Sequence, residues 1–352
     1  MKNNNKILVA VSGGVDSFAS ALLLKQQGYD VVCCILQMHQ HNENAIKDAI
    51  KLCESVKIEL IIKNVSKQFL EIVKENFYKE YLNGRTPNPC VLCNKEVKFK
   101  ELIAVADANN IELIATGHYA IVEKDNTTGR YYIAKANDIS KDQSYMLWRL
   151  NQNELKRIIF PVGKYDSKQN VRLFAKKHSV QMFDKKDSQD ICFIPDGDYR
   201  KFISEFSINK NENIRDGDVV IDGKIIGKHK GTPYYTIGQR RGLGIAYKSP
   251  IYVKRIDIEN NIIEVATAEN TYSKGLISND FNIIKYDNLE EEKEYNVKIR
   301  YKDTGKLAKA KIKDNKLVVD FIAQRSSVAL GQSVVLYEKD VLVGGGIISE
   351  IF

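Results

Sequence analysis

Three cysteines and one glycine-rich loop carry the residue types that could do chemistry in this chain. Cys90 and Cys93 stand three apart in Thr86-Pro-Asn-Pro-Cys-Val-Leu-Cys-Asn94, and Cys192 follows the charged stretch KKDSQDI at 185–191. Two of the six prolines lie within three residues of Cys90. Proline fixes its own φ and restricts the residue before it, so 86–94 is expected to be an extended, stiffened loop. The remaining cysteines, Cys33, Cys34 and Cys53, fall in apolar periodic segments and read as small buried hydrophobes. In a chain with no secretory features, close cysteines point to metal binding or catalysis rather than stapling.

The glycine-rich loop is Ser12-Gly-Gly-Val-Asp-Ser17. Small residues let backbone amides approach an anion, and a helix start directly behind adds its dipole, so the hexapeptide is a phosphate cradle. No Gly-Lys-[Ser/Thr] follows, which excludes a Walker A loop, and G-x-G-x-x-G is absent, which excludes the dinucleotide fingerprint. Asp16 is placed to help hold Mg²⁺ between phosphates. The bland alternative is a capped strand-to-helix turn.

The elements that must position these groups follow from periodicity. An apolar run at 6–11 precedes the loop, a helical pattern closes at Gly28, and buried strands recur at 31–36, 59–62 and 111–115. Helical spacing fills 44–56, 66–82 and 95–109 between them. Such alternation implies an N-terminal doubly wound parallel α/β sheet with ligands at the carboxyl ends of its strands. Three loops fall there: SGGVDS, the segment after Leu36, and Thr116-Gly-His-Tyr119. The stretch 141–204 is mixed, with a helix near 169–178. From 216 the pattern changes to a hairpin turning at Asp222-Gly223, a Gly- and Arg-rich stretch at 231–245, and alternating segments at 252–258 and 262–266. Strand signals at 295–301, 311–313, 317–322, 333–337 and 341–348 suggest a C-terminal antiparallel β-barrel. The expected division is 1–205, a small central domain at 206–272, and 273–352.

The net charge of +8 suits a polyanionic partner such as nucleic acid, although a lysine-rich solvated surface gives the same sign. No apolar run approaches the ~20 residues that span a bilayer. The start shows no apolar signal-peptide core, so a cytoplasmic location without membrane attachment is expected.

SGGVDS resembles the pyrophosphate-binding loop of ATP pyrophosphatases, which split ATP between the α- and β-phosphates. Further motifs narrow the likeness: TPNPCVLCNKEVKF at 86–99, TGHY at 116–119, KDQSY at 141–145, KDSxxICF at 186–193, GQRRGLG at 238–244, IRY at 299–301 and GQ at 331–332. Together they resemble the bacterial tRNA-specific 2-thiouridylases, in order and across nearly the whole chain. The resemblance implies that ATP adenylates the C2 oxygen of a wobble uridine in the tRNA anticodon arm, releasing pyrophosphate, and that sulfur then replaces the oxygen. Cys192 matches the residue that accepts sulfur from a donor, such as a cysteine desulfurase or relay protein, and carries it as a persulfide. Cys93 matches the nucleophile that attacks it, leaving a Cys93–Cys192 disulfide. Taken alone, Cys192 between Ile191 and Phe193 reads as a buried cysteine. Thiolates need positive neighbours, and Lys95, Lys98, Lys185 and Lys186 are near in sequence.

The resemblance further implies that Ala10, Val11, Ser12, Gly13, Gly14, Val15, Asp16 and Ser17 line the ATP phosphates, that Leu36 stands for a common nucleotide-contacting Met, and that Gly117 backs the adenosine. Asn88, Pro89 and Cys90 match positions facing a flipped base. His118, Lys141, Asp142, Gln143, Arg300, Tyr301 and Gln332 match tRNA contacts, where Lys141 and Arg300 singly read as solvated charge. The chain departs at Cys90, where Asp is usual. That change leaves open a [4Fe–4S] cluster on Cys90, Cys93 and Cys192, as in related tRNA sulfur transferases, or zinc with His118 as a fourth ligand. Two rivals remain on the sequence: an adenylating amide synthetase acting on a small metabolite, and a non-catalytic RNA-binding protein.

Overall fold

Apolar residues of the first strand divide between two cores, and this sets the architecture. The computed structural model describes residues 5–39, 43–178 and 191–352. Strands Glu59–Asn64, Asp30–Gln37, Lys6–Ala10, Leu113–Thr116 and Ile158–Ile159 lie side by side in that order, all parallel. Leu8, Val32, Cys34 and Ile114 face one core, whereas Ile7, Val9, Val31 and Cys33 face the other. Both faces are covered, which is why these strands read as unbroken apolar runs. The chain winds outward from Lys6–Ala10 to Glu59–Asn64 and then returns to the other side of Lys6–Ala10. That reversal opens a crevice between the carboxyl ends of Lys6–Ala10 and Leu113–Thr116.

The proline-rich stretch differs from its expected form. Pro89–Cys93 is helical and runs without a break through Asn94–Phe99, which is a π-turn stretch, into Lys100–Ala108. Pro89 occupies the first helical position, where its fixed φ suits a helix and its missing N–H would be unpaired anyway. The restriction that proline imposes falls on Asn88, the extended N-cap at φ −109°. Cys90 and Cys93 therefore sit on the opening turns of a long helix. The preceding helix 66–82 has a π-turn stretch of its own at Phe69–Lys74.

The central sheet orders Ile251–Asp257, Ile262–Thr267, Gly217–Ile221 and Lys224–His229. Its hairpin turns at Asp222 and Gly223, both at positive φ (49° and 74°), as the Asp-Gly pair led one to expect. The C-terminal barrel closes six strands, Tyr272–Ile283 pairing with both Lys316–Ser326 and Val341–Ile351. Two elements were not anticipated. Tyr272–Ile283 is a long strand interrupted by glycine and polar residues. The hairpin Ala120–Lys124 and Tyr131–Lys135, from within the N-terminal region, adds to the barrel by pairing Ile133 and Ala134 with Leu342 and Val341. Among the described residues no helix is long and apolar enough to cross a membrane.

Candidate active site

The loop after the first strand is held by its own serines. The Ser12 amide donates to Ser17 Oγ (3.0 Å), and the Ser17 hydroxyl donates to the Gly14 carbonyl (2.9 Å). Gly13 has φ +71°, and a Cβ there would lie 2.8 Å from the Ala45 carbonyl oxygen. A Cβ on Gly117 would lie 2.8 Å from Ser17 N and Cα, so the two loops of the crevice touch through backbone. Gly14 is the N-cap of Val15–Gln26 and supplies no side-chain cap, leaving the first amides of a 12-residue helix for an anion. Leu36 is buried near the end of its strand.

Asp16 has partners that sequence reasoning missed. Tyr119 Oη donates to its Oδ1 (2.9 Å), and Lys168 Nζ donates to its Oδ2 (2.6 Å). The Lys168 ammonium also lies 5.7 Å from the Tyr119 ring centre. Lys168 opens the helix Lys168–Lys177, more than a hundred residues from the loop, and has no local motif. Tyr119 ends the Thr116-Gly-His-Tyr119 motif, whose sequence alone gives it no role.

The sulfur centre combines three environments. Cys93 is 4% exposed, Cys90 is half-buried and Cys192 is exposed. Burial raises all three thiols, Cys93 up to about 12, and in each case Lys98 is the leading influence in the opposite direction. Lys74 also favours the Cys192 thiolate. The other expected cation is turned away: Lys95 Nζ binds both carboxylate oxygens of Glu154 at 2.7 Å. Lys185 and Lys186 lie outside the described residues. Phe193 anchors the Cys192 segment edge-on against Phe69 and Phe77, with ring centres 5.8 and 5.3 Å apart.

His118 stacks on Phe99 and brings Nδ1 within 2.7 Å of Thr116 Oγ1. Burial and the nearby Lys98 charge lower it to about 3, so it is neutral at ordinary pH. Among the described residues no three His, Cys, Asp or Glu side chains are grouped to hold a metal ion. The cluster reading for Cys90, Cys93 and Cys192, and the zinc reading with His118, therefore find no assembled ligand set.

Several positions matched to tRNA contacts also tie the units together. The Gln332 amide donates to the Thr86 (3.0 Å) and Pro87 (3.4 Å) carbonyls, while the Thr86 amide donates to Leu330 O (2.8 Å). The barrel thus grips the segment before Asn88, Pro89 and Cys90. Tyr301 Oη donates to the Asp142 carbonyl (3.0 Å). The Asp142 carboxylate is buried, accepting from Ala136 N and from Ser144 N and Oγ. Gln143 Oε1 accepts from Tyr119 N (3.0 Å). Lys141 is half-buried and Arg300 exposed.

Comparison with known proteins covers all three sheets. Residues 5–196 match the family model described as tRNA methyl transferase HUP domain, 200–267 the tRNA methyl transferase PRC-barrel domain, and 273–348 the aminomethyltransferase beta-barrel domain. The chain is 43% identical over 363 residues to tRNA-specific 2-thiouridylase MnmA 1 of Thermoanaerobacter pseudethanolicus, covering 99% of each. It is 43% identical over 365 residues to MnmA 2 of Caldanaerobacter subterraneus subsp. tengcongensis, again covering 99% of each. Against the MnmA of Halothermothrix orenii identity is 42% over 363 residues, 99% of this chain and 100% of the relative. The matched length takes in the Ser12–Ser17 loop, Cys90, Cys93, Cys192 and the barrel alike. The chain belongs to the family of tRNA-specific 2-thiouridylases.

Proposed function

We infer that the protein is an ATP-dependent tRNA sulfurtransferase that converts uridine to 2-thiouridine, and we propose the wobble uridine as its target. The observation that carries the reaction is the likeness to 2-thiouridylases along the full chain. ATP lays its phosphates over residues 10–17, with Gly117 behind the adenosine and Leu36 beside it. The amides at the start of Val15–Gln26 and Lys168 face the charge of the departing pyrophosphate. Asp16 fits Mg²⁺ as a single carboxylate beside the phosphates: Tyr119 and Lys168 use two of its roughly four lone-pair sites. Bound there, Mg²⁺ would neutralise phosphate charge.

Uridine O2 displaces pyrophosphate from the α-phosphorus, which turns a poor leaving group into AMP. Cys192 carries sulfane sulfur from a persulfide donor. The Cys93 thiolate attacks the Cys192 Sγ, the persulfide S–S bond breaks, and its electron pair leaves with hydrosulfide. Hydrosulfide adds at C2, loses its proton and expels AMP with the C–O electron pair. A thiol reductant then returns two electrons to the Cys93–Cys192 disulfide. Asn88, Pro89 and Cys90 face the extruded base.

The test uses unmodified tRNA, ATP and a persulfide donor, with 2-thiouridine measured by mass spectrometry and pyrophosphate measured separately. Wild type is expected to form both products. Cys93→Ser and Cys192→Ser are expected to release pyrophosphate with tRNA present and to form no 2-thiouridine. Thiouridine from Cys192→Ser, or equal pyrophosphate release with tRNA omitted, overturns the reading.

A further inference from the structure

Two lysines with no assigned role converge on the sulfur centre, and the helix geometry explains how. Lys98 lies five residues after Cys93. On a regular α-helix of 3.6 residues per turn, five residues place two side chains about 140° apart, on different faces. Asn94–Phe99 is not regular: it is a π-turn stretch, in which hydrogen bonds close from i to i+5. The widened turn brings residue 98 back over residue 93. Lys74 ends the other π-turn stretch, Phe69–Lys74, on the helix packed against this one. Its ammonium lies 5.9 Å from the ring centre of Phe193, the residue after Cys192.

Both lysines are half-buried, and among the described residues neither is paired with a carboxylate. Neighbouring lysines are treated differently: Lys95 is bound by Glu154, and Lys100 and Lys79 pair with Glu96 and Glu75 on their own helices. A half-buried ammonium without a counter-ion is costly unless an anion visits it. Among the described residues, the groups that face the centre are Cys90, Cys93 and Lys98 from helix 89–108, Lys74 from helix 66–82, and Cys192 itself. His118 adjoins Lys98, and Tyr301 approaches Cys90 from the barrel side. Of these, only the thiols can supply an anion during sulfur transfer, because His118 is neutral.

We propose that Lys98 and Lys74 form a two-cation cradle for moving sulfur, Lys98 shared between Cys93 and Cys192 and Lys74 serving the sulfur carried on Cys192. The role rests on the reading that these two cysteines exchange sulfur. In that exchange a bond forms between the two Sγ atoms, the persulfide bond breaks, and one negative charge passes from Cys93 to the departing hydrosulfide. Lys98 lies where it attends the charge at both ends. Lys74 attends only the departing end. The other two π-turn consequences, a displaced Asn94 and Phe99, are structural: Asn94 Nδ2 donates to the Met146 carbonyl and Phe99 packs on His118.

The test needs neither tRNA nor ATP, so its failure is distinguishable from failure of the reaction assigned above. The full chain is exposed to methyl methanethiosulfonate between about pH 6 and pH 10, and modification at Cys93 and Cys192 is read from separate peptides by mass spectrometry. Removing a neighbouring cation pushes a thiol upward, so reaction below the midpoint is expected to slow about tenfold. Lys98→Gln is expected to slow both thiols, and Lys74→Gln to slow Cys192 alone, Cys93 being read as a rate below its midpoint because burial pushes it up to about 12. Lys98→Arg and Lys74→Arg restore the wild-type profiles. Lys95→Gln, which disturbs the same helix but removes a cation already bound by Glu154, leaves them unmoved. Thermal unfolding midpoints establish that each variant is folded. The proposal falls if either Gln variant leaves Cys192 at its wild-type midpoint, or if Lys95→Gln shifts it equally. It also falls if Cys93 follows Lys74 rather than Lys98, or stays unmodified throughout.

Discussion

At the scale of residues, Cys90 separates thiol chemistry from metal binding. It shares its helix face with Cys93, yet its thiol is raised by burial and, among the described residues, no donor set for a metal is assembled. On the proposal that Cys90 faces the base, a neutral thiol there offers at most a weak hydrogen bond, and serine replaces it at nearly the same size. Cys90→Ser is therefore expected to keep 2-thiouridine formation within about fivefold of wild type, the worth of one neutral hydrogen bond of ~1 kcal/mol. A complete loss, matching that expected of Cys93→Ser, would show that all three sulfurs act together. The experiment is the same thiolation assay with all three variants side by side. The apolar neighbours of Cys33, Cys34 and Cys53 set those three, which are buried, apart from Cys90, Cys93 and Cys192. The cations of the second three are not legible in the sequence: Lys95 and Lys98 look equivalent in CNKEVKF, and only the path of the helix sends one to Glu154 and the other to the sulfurs.

At the scale of elements, the thiol-bearing helix is positioned from its first residue by the barrel. The prolines suggest a loop through 94, but Pro89 starts a helix; the local rule holds for Asn88 and is blind to the position of Pro89 within the turn. The hairpin at 120–135 escaped notice because its faces are only partly buried and its pairing partner lies some 200 residues later. Parallel strands, by contrast, were readable because both faces are covered. The contact that no periodicity encodes is Gln332 reaching Thr86 and Pro87. Gln332→Ala removes both bonds and leaves two carbonyls to water, costing about 1 kcal/mol of global stability. Its larger expected effect is local: amides at 88 and 90–93 should exchange hydrogen faster, and kcat for thiolation should fall more than KM for ATP rises. Unchanged exchange there, measured by hydrogen exchange with mass spectrometry, would mean that Leu330 and Gly331 alone set the loop.

At the scale of the whole molecule, the barrel is joined to the N-terminal unit by more than the chain. Trp148 is fully buried and its indole N–H donates to Ser333 Oγ (3.0 Å). A Cβ on Gly345 would lie 2.7 Å from Trp148 Cγ, so that strand comes as near as glycine permits. The exposed turn bearing Arg300 is fixed to the same unit through Tyr301 and Asp142. A net charge of +8 suits a polyanion such as tRNA, and on the proposal that Arg300 meets a tRNA phosphate, it displaces counter-ions on binding. Arg300→Gln should therefore weaken tRNA binding and flatten the plot of log affinity against log salt by about one counter-ion, while kcat at saturating tRNA stays near wild type. The measurement is fluorescence anisotropy across a salt series, paired with thiolation at saturating tRNA. Equal slopes for variant and wild type would place Arg300 outside the phosphate contacts, and a fall in kcat without a change in slope would move its role to holding Tyr301 against Asp142.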